Sequence, residues 1–354
     1  MLSSTTESKV QLLKLLFQKR QLGEKVWSLG GMSSLDIKPD EGATSDFFAI
    51  KDEPVIFQPS TIGPTSYFLG QSIVPIVAHV HGESVLRCIG TGFFISCSGL
   101  LITAAHVITD PIERQYGGVR ETGELTWRAD ELNLGVMIRL NPIMHGCDGY
   151  LFRTLEWASF LAKKTDHPIP IKGIDLRLNS DIAICKVEPI ASDVPHQPLC
   201  MIQPGLVGTG MKEGKTAIAV GYGAMKDVEL QSVASNAISG DFQFGFHASV
   251  GEILERFPDN ASTRQATAPG ACFSASMKLP GGMSGSPIFD REGIYVHGVV
   301  SKGWIDEEGV APLGYGSMLA EALHIPIEML GGKTLLQLHK EAEHGFPKLQ
   351  GPGL

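Results

Sequence analysis

Apolar and polar positions alternate in short runs through most of this chain. Ile73-Val74-Pro75-Ile76-Val77-Ala78-His79-Val80, Leu86 to Ile95 and Leu100 to Ile102 read as successive strands. Val136-Met137-Ile138-Arg139-Leu140 and Ile171 to Leu178 continue the series. A second set follows with Thr216 to Gly223, Ala248 to Leu254 and Ile294 to Ser301. Short strands broken by frequent turns fit an all-β pair of barrels. The prolines at 189, 195, 198 and 204 mark the connection between two halves. No internal repeat is visible.

Helical periodicity is confined to a few places. In residues 8–22, Val10, Leu13, Leu16 and Phe17 fall on one face, with Lys14, Gln18 and Lys19 off it and Gly23 as the stop. This helix either packs on the body of the protein or docks a partner, and packing at home is the commoner fate. Phe152 to Lys163 reads as a short helix, as do Met318 to Leu323 and Thr334 to Glu343. Residues 30–66 are rich in Gly, Ser, Asp and Pro and read as a linker arm.

Composition narrows the class. Hydrophobic residues at 43% and charged residues at 19% describe a globular protein able to bury a sizeable core. The 41 glycines and 21 prolines suit a β-rich chain with many turns. A net charge of −9 argues against general nucleic-acid binding. Leu12-Leu13-Lys14-Leu15-Leu16-Phe17 is too short, and too interrupted by lysine, for a secretory leader. No apolar run approaches the length of a membrane span. Cys88, Cys97, Cys147, Cys185, Cys200 and Cys272 are scattered without a Cys-x-x-Cys, so all six are expected to be reduced thiols in a cytoplasmic protein. His145 and Cys147 are close, but one His-x-Cys is a poor metal signal. No metal or cofactor is expected.

The chemistry concentrates in Pro280-Gly281-Gly282-Met283-Ser284-Gly285-Ser286-Pro287. A serine held on a glycine turn can meet an electrophile while bare N–H groups bind the oxyanion that forms. Alone, the octapeptide reads as a turn. Two upstream stretches change that. Gly90-Thr91-Gly92-Phe93-Phe94-Ile95 leads through Leu100-Leu101-Ile102 to Thr103-Ala104-Ala105-His106. Asn179-Ser180-Asp181-Ile182-Ala183-Ile184 places an aspartate at the head of an apolar run. A serine nucleophile needs a base, and the base needs an orienting carboxylate. His106, Asp181 and Ser284 supply the three. Asp175 is the competing carboxylate, but alternation points it away from the apolar face.

These stretches resemble the trypsin/chymotrypsin-like serine peptidases. Gly-Thr-Gly-Phe, Thr-Ala-Ala-His, Ser-Asp-Ile-Ala and Gly-Met-Ser-Gly-Ser-Pro are most similar to the bacterial-type branch that includes the high-temperature-requirement proteases. The resemblance covers roughly residues 71–325. It implies two six-stranded antiparallel β-barrels, about 71–195 and 200–325, with the site in the cleft between them. Residues 1–70 would be an N-terminal helix and linker arm, and 326–354 a C-terminal helix and tail. The residues after Ser284 leave no room for the peptide-binding domain that high-temperature-requirement proteases usually append.

The resemblance also implies roles. Ser284 is the nucleophile, with Ser286 the small residue behind it; His106 is the base and Asp181 its orienting carboxylate. The oxyanion hole consists of the Gly282 and Ser284 N–H groups. Met283 departs from the aspartate of most secreted relatives, which pairs with a newly cut N-terminus, so the hole is preformed or set by packing or a partner. Ser301-Lys302-Gly303 and Gly314-Tyr315-Gly316 would wall the substrate pocket, with Ser301 also supporting Asp181. Lys278 is either at the pocket floor or a solvated loop lysine. Leu279 and Val300 suggest an apolar pocket of modest size. The implied activity is a serine endopeptidase acting on polypeptides through an acyl-enzyme, with neither membrane nor nucleic acid involved. The alternative is a protease-like binding module, silent or activated only by a partner, with the N-terminal region as the contact for such a regulator.

Overall fold

The computed structural model describes residues 11–17, 26–28, 55–56, 71–80, 82–96, 98–113, 119–123, 126–129, 132–139, 149–164, 176–188, 211–234, 237–239, 245–258, 268–290, 296–303, 312–327 and 330–337. Three short strands come first, β1 (Gln11–Phe17), β2 (Val26–Ser28) and β3 (Val55–Ile56). The next group is β4 (Ile73–Val80), β5 (Val85–Phe94), β6 (Leu100–Thr103), β7 (Val119–Gly123), β8 (Thr126–Ala129), β9 (Leu132–Arg139), β10 (Gly149–Lys164) and β11 (Leu176–Val187). Helix α1 (Ala105–Glu113) follows β6 directly. Then come β12 (Thr216–Gly223), β13 (Val228–Glu229), β14 (Gln231–Ala234), β15 (Ala237–Ser239), β16 (Gly245–Phe257), β17 (Cys272–Ala275), β18 (Pro287–Asp290), β19 (Val296–Gly303) and β20 (Gly314–Met318). A 3-10 turn at Leu319–His324 leads to β21 (Pro326–Ile327) and β22 (Lys333–Thr334).

Two rings close. Strands β11-β6-β5-β4-β9-β10 pair in that order, and β10 returns to β11. Strands β12-β18-β19-β20-β17-β16 do the same, with β16 returning to β12. Each ring is a six-stranded antiparallel barrel, as expected, and closure removes the free edges that an open sheet would carry. The first barrel's strands bury Ile76, Phe93, Leu101, Ile102, Val136, Ile138, Leu155, Ile182 and Ile184 on their two faces. Each such side chain contributes roughly 1.5–3 kcal/mol on burial. In the second barrel Phe273 is buried among Ala217, Ala219, Ile253, Ala275, Ile288 and Val300. Added Cβ atoms at Gly298 and Gly316 would lie 2.9 and 2.5 Å from the Phe273 ring, so both strands need glycine where the ring lies on them.

Local readings failed in two places. Phe152–Lys163 is not a helix but most of β10, paired with β9 on one edge and β11 on the other. The register slips between Leu155 and Trp157 and again between Phe160 and Ala162. The first bulge adds a residue to β10, the second slip places its extra residues in β11, and half-buried Arg153 and Glu156, three apart, imitate helical spacing. The N-terminal helix is also corrected. Residues 11–17 form β1, antiparallel to β10 and parallel to β8. A short apolar run has no strong intrinsic preference, and an available strand edge decides it. Val55–Ile56, inside the stretch read as linker, extends the second barrel by pairing with His247 and Ala248 of β16.

The C-terminal helix begins as expected. The Gln337 N–H donates to Thr334 Oγ1 at 3.2 Å, and the Thr334 N–H donates to Gln337 Oε1 at 2.8 Å. This reciprocal pair is a capping box at a helix N-terminus. Residues 338–354, Asp175, His145, Cys147 and the prolines at 189, 195, 198 and 204 lie outside the described residues.

Candidate active site

His106 stands at the second position of α1, immediately after β6 has run through the first barrel. Its backbone N–H donates to Asp181 Oδ1 at 2.9 Å. Its ring Nδ1 lies 2.8 Å from Asp181 Oδ2 and 3.1 Å from Oδ1. A carboxylate only accepts, so Nδ1 carries the proton and Nε2 keeps a lone pair for chemistry. The Asp181 side chain is 3% exposed and that of His106 is 27% exposed. The carboxylate is therefore sealed, while the imidazole reaches solvent. Ser301 of β19 donates its Oγ proton to Asp181 Oδ2, so the second barrel also holds this carboxylate.

Burial disfavours charge on His106. The Asp181 charge, its hydrogen bond and the more distant Asp110 outweigh that cost, and Lys302 opposes them only partly. The imidazole is consequently held above the usual histidine pKa.

Ser284 lies in the turn between β17 and β18. The carbonyls of this turn from Pro280 to Ser284 are all occupied, two of them within the turn itself. Pro280 O accepts from Met283 N at 3.1 Å, Gly281 O from Ala224 N at 2.7 Å, Met283 O from Ser286 N at 2.9 Å, and Ser284 O from Thr91 N at 2.8 Å. Gly282 O accepts from Thr91 Oγ1 at 2.9 Å. Gly285 N donates to Val300 O at 2.7 Å. Among the described residues, the N–H groups of Gly282 and Ser284 donate to no backbone acceptor outside the strands. A turn with occupied carbonyls and spare N–H groups is a concave site for an anion.

Two glycines of the turn need their type. Gly282 has φ +96° and Gly285 φ +87°, a region that side chains resist. A Cβ on Gly285 would also lie 2.0 Å from Thr91 O and 2.2 Å from Thr103 Oγ1. Gly90 serves the same closeness from the other side. A Cβ there would sit 2.7 Å from Val107, the residue after His106, and 3.0 Å from Ser284 O. These contacts bring the histidine and serine segments together across the two barrels. Ser286 is fully buried, and its Oγ occupies the space a Cβ on Gly221 would need, at 1.8 Å. It cannot meet a substrate. Met283 is fully buried in the second barrel's apolar cluster, so packing rather than an ion pair anchors the turn.

Sequence reasoning missed Thr91 as a positioning residue. Its Oγ1 accepts from Tyr222 N at 3.0 Å and donates to Gly282 O, and its own carbonyl accepts from Thr103 Oγ1 at 2.7 Å. The signal was present in Gly-Thr-Gly-Phe, but nothing local says that the threonine reaches a turn 191 positions away. Of the expected pocket residues, Val300 and Ser301 are buried on β19, and Gly303 faces Gly314 across β19 and β20. Leu279 packs against both glycines, and Lys278 beside it is half-buried. Beside α1 a cleft of about 150 Å³ is lined by Arg87, Cys88, Ile89, Val107, Asp110, Pro111 and Asp227.

A double barrel with a buried carboxylate, an oriented histidine and a serine on an anion-binding turn defines a hydrolase of the serine class. Residues 90–298 match the family model described as the trypsin-like peptidase domain, so the chain belongs to that family and is a trypsin-like serine endopeptidase. Curated protein sequences gave no match. Among solved structures, Deg5 is similar at 14% identity and TM-score 0.43, over 76% of this chain and 93% of that one. The active form of the Rv3671c protease from M. tuberculosis is similar at 19% identity and TM-score 0.39, over 76% and 85%. The HtrA-type protease AlgW with a decapeptide is similar at 13% identity and TM-score 0.39, over 72% and 63%.

Proposed function

We propose that the protein cleaves polypeptides through a His106–Asp181–Ser284 triad and an acyl-enzyme. The Nδ1–Oδ2 contact of 2.8 Å, to a carboxylate buried beside the serine turn, carries this reading. Ser284 Oγ attacks the scissile carbonyl carbon while its proton passes to His106 Nε2. The carbonyl oxygen becomes an oxyanion and is met by the Gly282 and Ser284 N–H groups. As the C–N bond breaks, His106 returns the proton to the leaving amine, and the acyl group stays on Ser284 as an ester. Water then attacks the ester and loses its proton to His106, which hands it to the departing Ser284 oxygen. Asp181 keeps its charge throughout and stabilises the imidazolium.

The pocket for the acyl side is formed by Leu279, Val300, Ser301, Gly303 and Gly314, with Lys278 beside it. A site anchored by Met283 instead of a charge needs no newly cut N-terminus. A fluorophosphonate probe on the full chain tests the reading. Wild type should label on Ser284, Ser284→Ala should neither label nor cleave casein, and circular dichroism should show the mutant folded. A folded wild type that never labels would support the silent binding module. Retained cleavage by Ser284→Ala would move the nucleophile elsewhere.

A further inference from the structure

A buried histidine that the proposed triad does not use lies under the serine turn. His247 of β16 is 4% exposed, and neither of its ring nitrogens has a hydrogen-bond partner. The Gly223 carbonyl favours charge on the ring but falls outside hydrogen-bond geometry. Gly223 marks where the ring meets the turn. A Cβ there would lie 3.0 Å from His247 Cδ2, 2.8 Å from Pro280 Cγ and 3.2 Å from Met283 Cγ. Imidazole, proline and methionine thus converge on one bare backbone position of β12.

The residue after Gly223 holds the turn through its backbone. Ala224 donates its N–H to Gly281 O at 2.7 Å. It has φ +51°, and among the described residues it is the one non-glycine in the left-handed region. Such a conformation persists only where the surroundings overdetermine it. Gly282 lies against the same segment, since a Cβ on it would be 3.2 Å from Tyr222 O and 3.6 Å from Gly223 Cα. The His247 backbone is fixed, paired with Gly221 of β12 on one edge and with Ile56 of β3 on the other. A proton on the ring would therefore act on the ring's cover rather than on its own strand. Charge at this place has no compensation. The described titratable residues on the elements against the ring are Tyr222 in β12, Lys226 and Asp227 just after it, Lys278 before the serine turn, and Glu252, Glu255 and Arg256 further along β16. None of them bears on the ionisation of His247, which burial holds below the ordinary histidine value. A buried imidazolium without a partner draws in water or moves.

We propose that His247 is an acid-sensitive latch under the serine turn. Uncharged, it lets Gly223, Pro280 and Met283 close over it and hold Gly282 in place. Protonated, it pushes them apart and takes the Gly282 N–H out of the oxyanion hole. This rests on the hole and triad assigned above. His106 also loses activity in acid, but its raised pKa puts that loss first, and the latch adds a second proton at lower pH. Stability moves in the same sense. A histidine whose folded pKa is depressed contributes stability above its unfolded value of 6.5 and loses it as pH falls through the folded one.

The test has two arms. Fluorophosphonate labelling rates from pH 8 to 4.5, each normalised to the same protein at pH 8, follow the hole. Wild type should slow roughly 10-fold per pH unit at first and roughly 100-fold per unit once His247 takes its proton, reversibly and with unchanged circular dichroism. His247→Leu and His247→Gln cannot titrate there and should keep the single slope of roughly 10-fold per unit. The second arm needs no catalysis. In Ser284→Ala carrying carbon-13 methyl methionine, the Met283 methyl resonance, assigned with Met283→Leu, should shift in the lower pH step, and it should stand still once His247→Leu is added. If neither His247 variant folds, coincidence of the Met283 shift with the second wild-type slope carries the proposal, and its absence overturns it. A single slope in wild type overturns the latch, as does a Met283 resonance that ignores pH or that titrates without His247. Absence of labelling at every pH, with Met283 still following His247, is a different failure, that of the triad assignment itself.

Discussion

At the residue scale the site turns on one imidazole whose charge serves folding and opposes catalysis. In the proposed triad His106 must be neutral at Nε2 to accept the serine proton, yet its surroundings hold its pKa above the usual value. The acid limb of kcat/KM should therefore lie above pH 6.5, the ordinary histidine value. The stability linkage runs the other way. A group whose folded pKa is raised contributes its full stabilisation below the unfolded pKa and loses it as pH rises through the folded one. Across that window activity should climb while this part of the thermal stability falls. In Asp181→Asn the raising charge is gone, burial remains, and the tautomer is no longer fixed. Turnover should drop by ~10⁴ and the falling arm of the melting-temperature profile should flatten. Peptide hydrolysis and differential scanning fluorimetry from pH 5 to 9 measure both. An Asp181→Asn variant with both profiles unchanged would show that the carboxylate does not govern His106.

Among the elements, β5 carries more of the site than its apolar pattern suggests. It supplies barrel core through Phe93 and Phe94, and Thr91 ties it both to β12 and to the serine turn. Thr91→Val preserves shape but strips the hydroxyl from a fully buried position, leaving Tyr222 N and Gly282 O short of a partner. Each orphaned group costs about 1–3 kcal/mol. We expect a lower melting temperature and slower fluorophosphonate labelling, because Gly282 is half of the proposed oxyanion hole. A variant that loses stability but labels at the wild-type rate would confine Thr91 to a packing role. β10 and β1 teach a different lesson about elements. A bulged strand with polar residues three apart satisfies a helix template, and a leucine-rich heptapeptide satisfies both templates.

For the whole molecule, the described N-terminal strands are part of the body. β1 and β2 pair with β10 of the first barrel, and β3 pairs with β16 of the second. Deleting residues 1–60 should lower the melting temperature and promote self-association by uncovering strand edges. Size-exclusion chromatography and fluorimetry report both effects; an unchanged, monomeric truncation would return the segment to the role of partner contact. Cysteine chemistry is also a property of the whole chain. Cys88, Cys185 and Cys272 are free, and burial pushes the Cys88 thiol up to about 12 and Cys272 to about 11. Thiols so far from ionising are poor nucleophiles and exchange partners. Activity should therefore survive dithiothreitol. Reversible inactivation by reductant would reveal a disulfide on which the fold depends.

The candidate site was legible in the amino-acid order. The proposed chemistry restricts residue types at His106, Asp181 and Ser284, and the tight turns restrict Gly282 and Gly285. Such restrictions leave local marks that need no knowledge of the fold. Strand alternation likewise revealed an all-β chain, because a buried face imposes its period of two on the residues that form it. Remote partners left no such mark. Whether residues 11–17 become strand depends on the edge of β10. The reach of Thr91 to Gly282 depends on the closure of both barrels, as does the place of Leu279 between Gly303 and Gly314. In each case the deciding neighbour is set by barrel closure and strand register, which only the tertiary structure supplies.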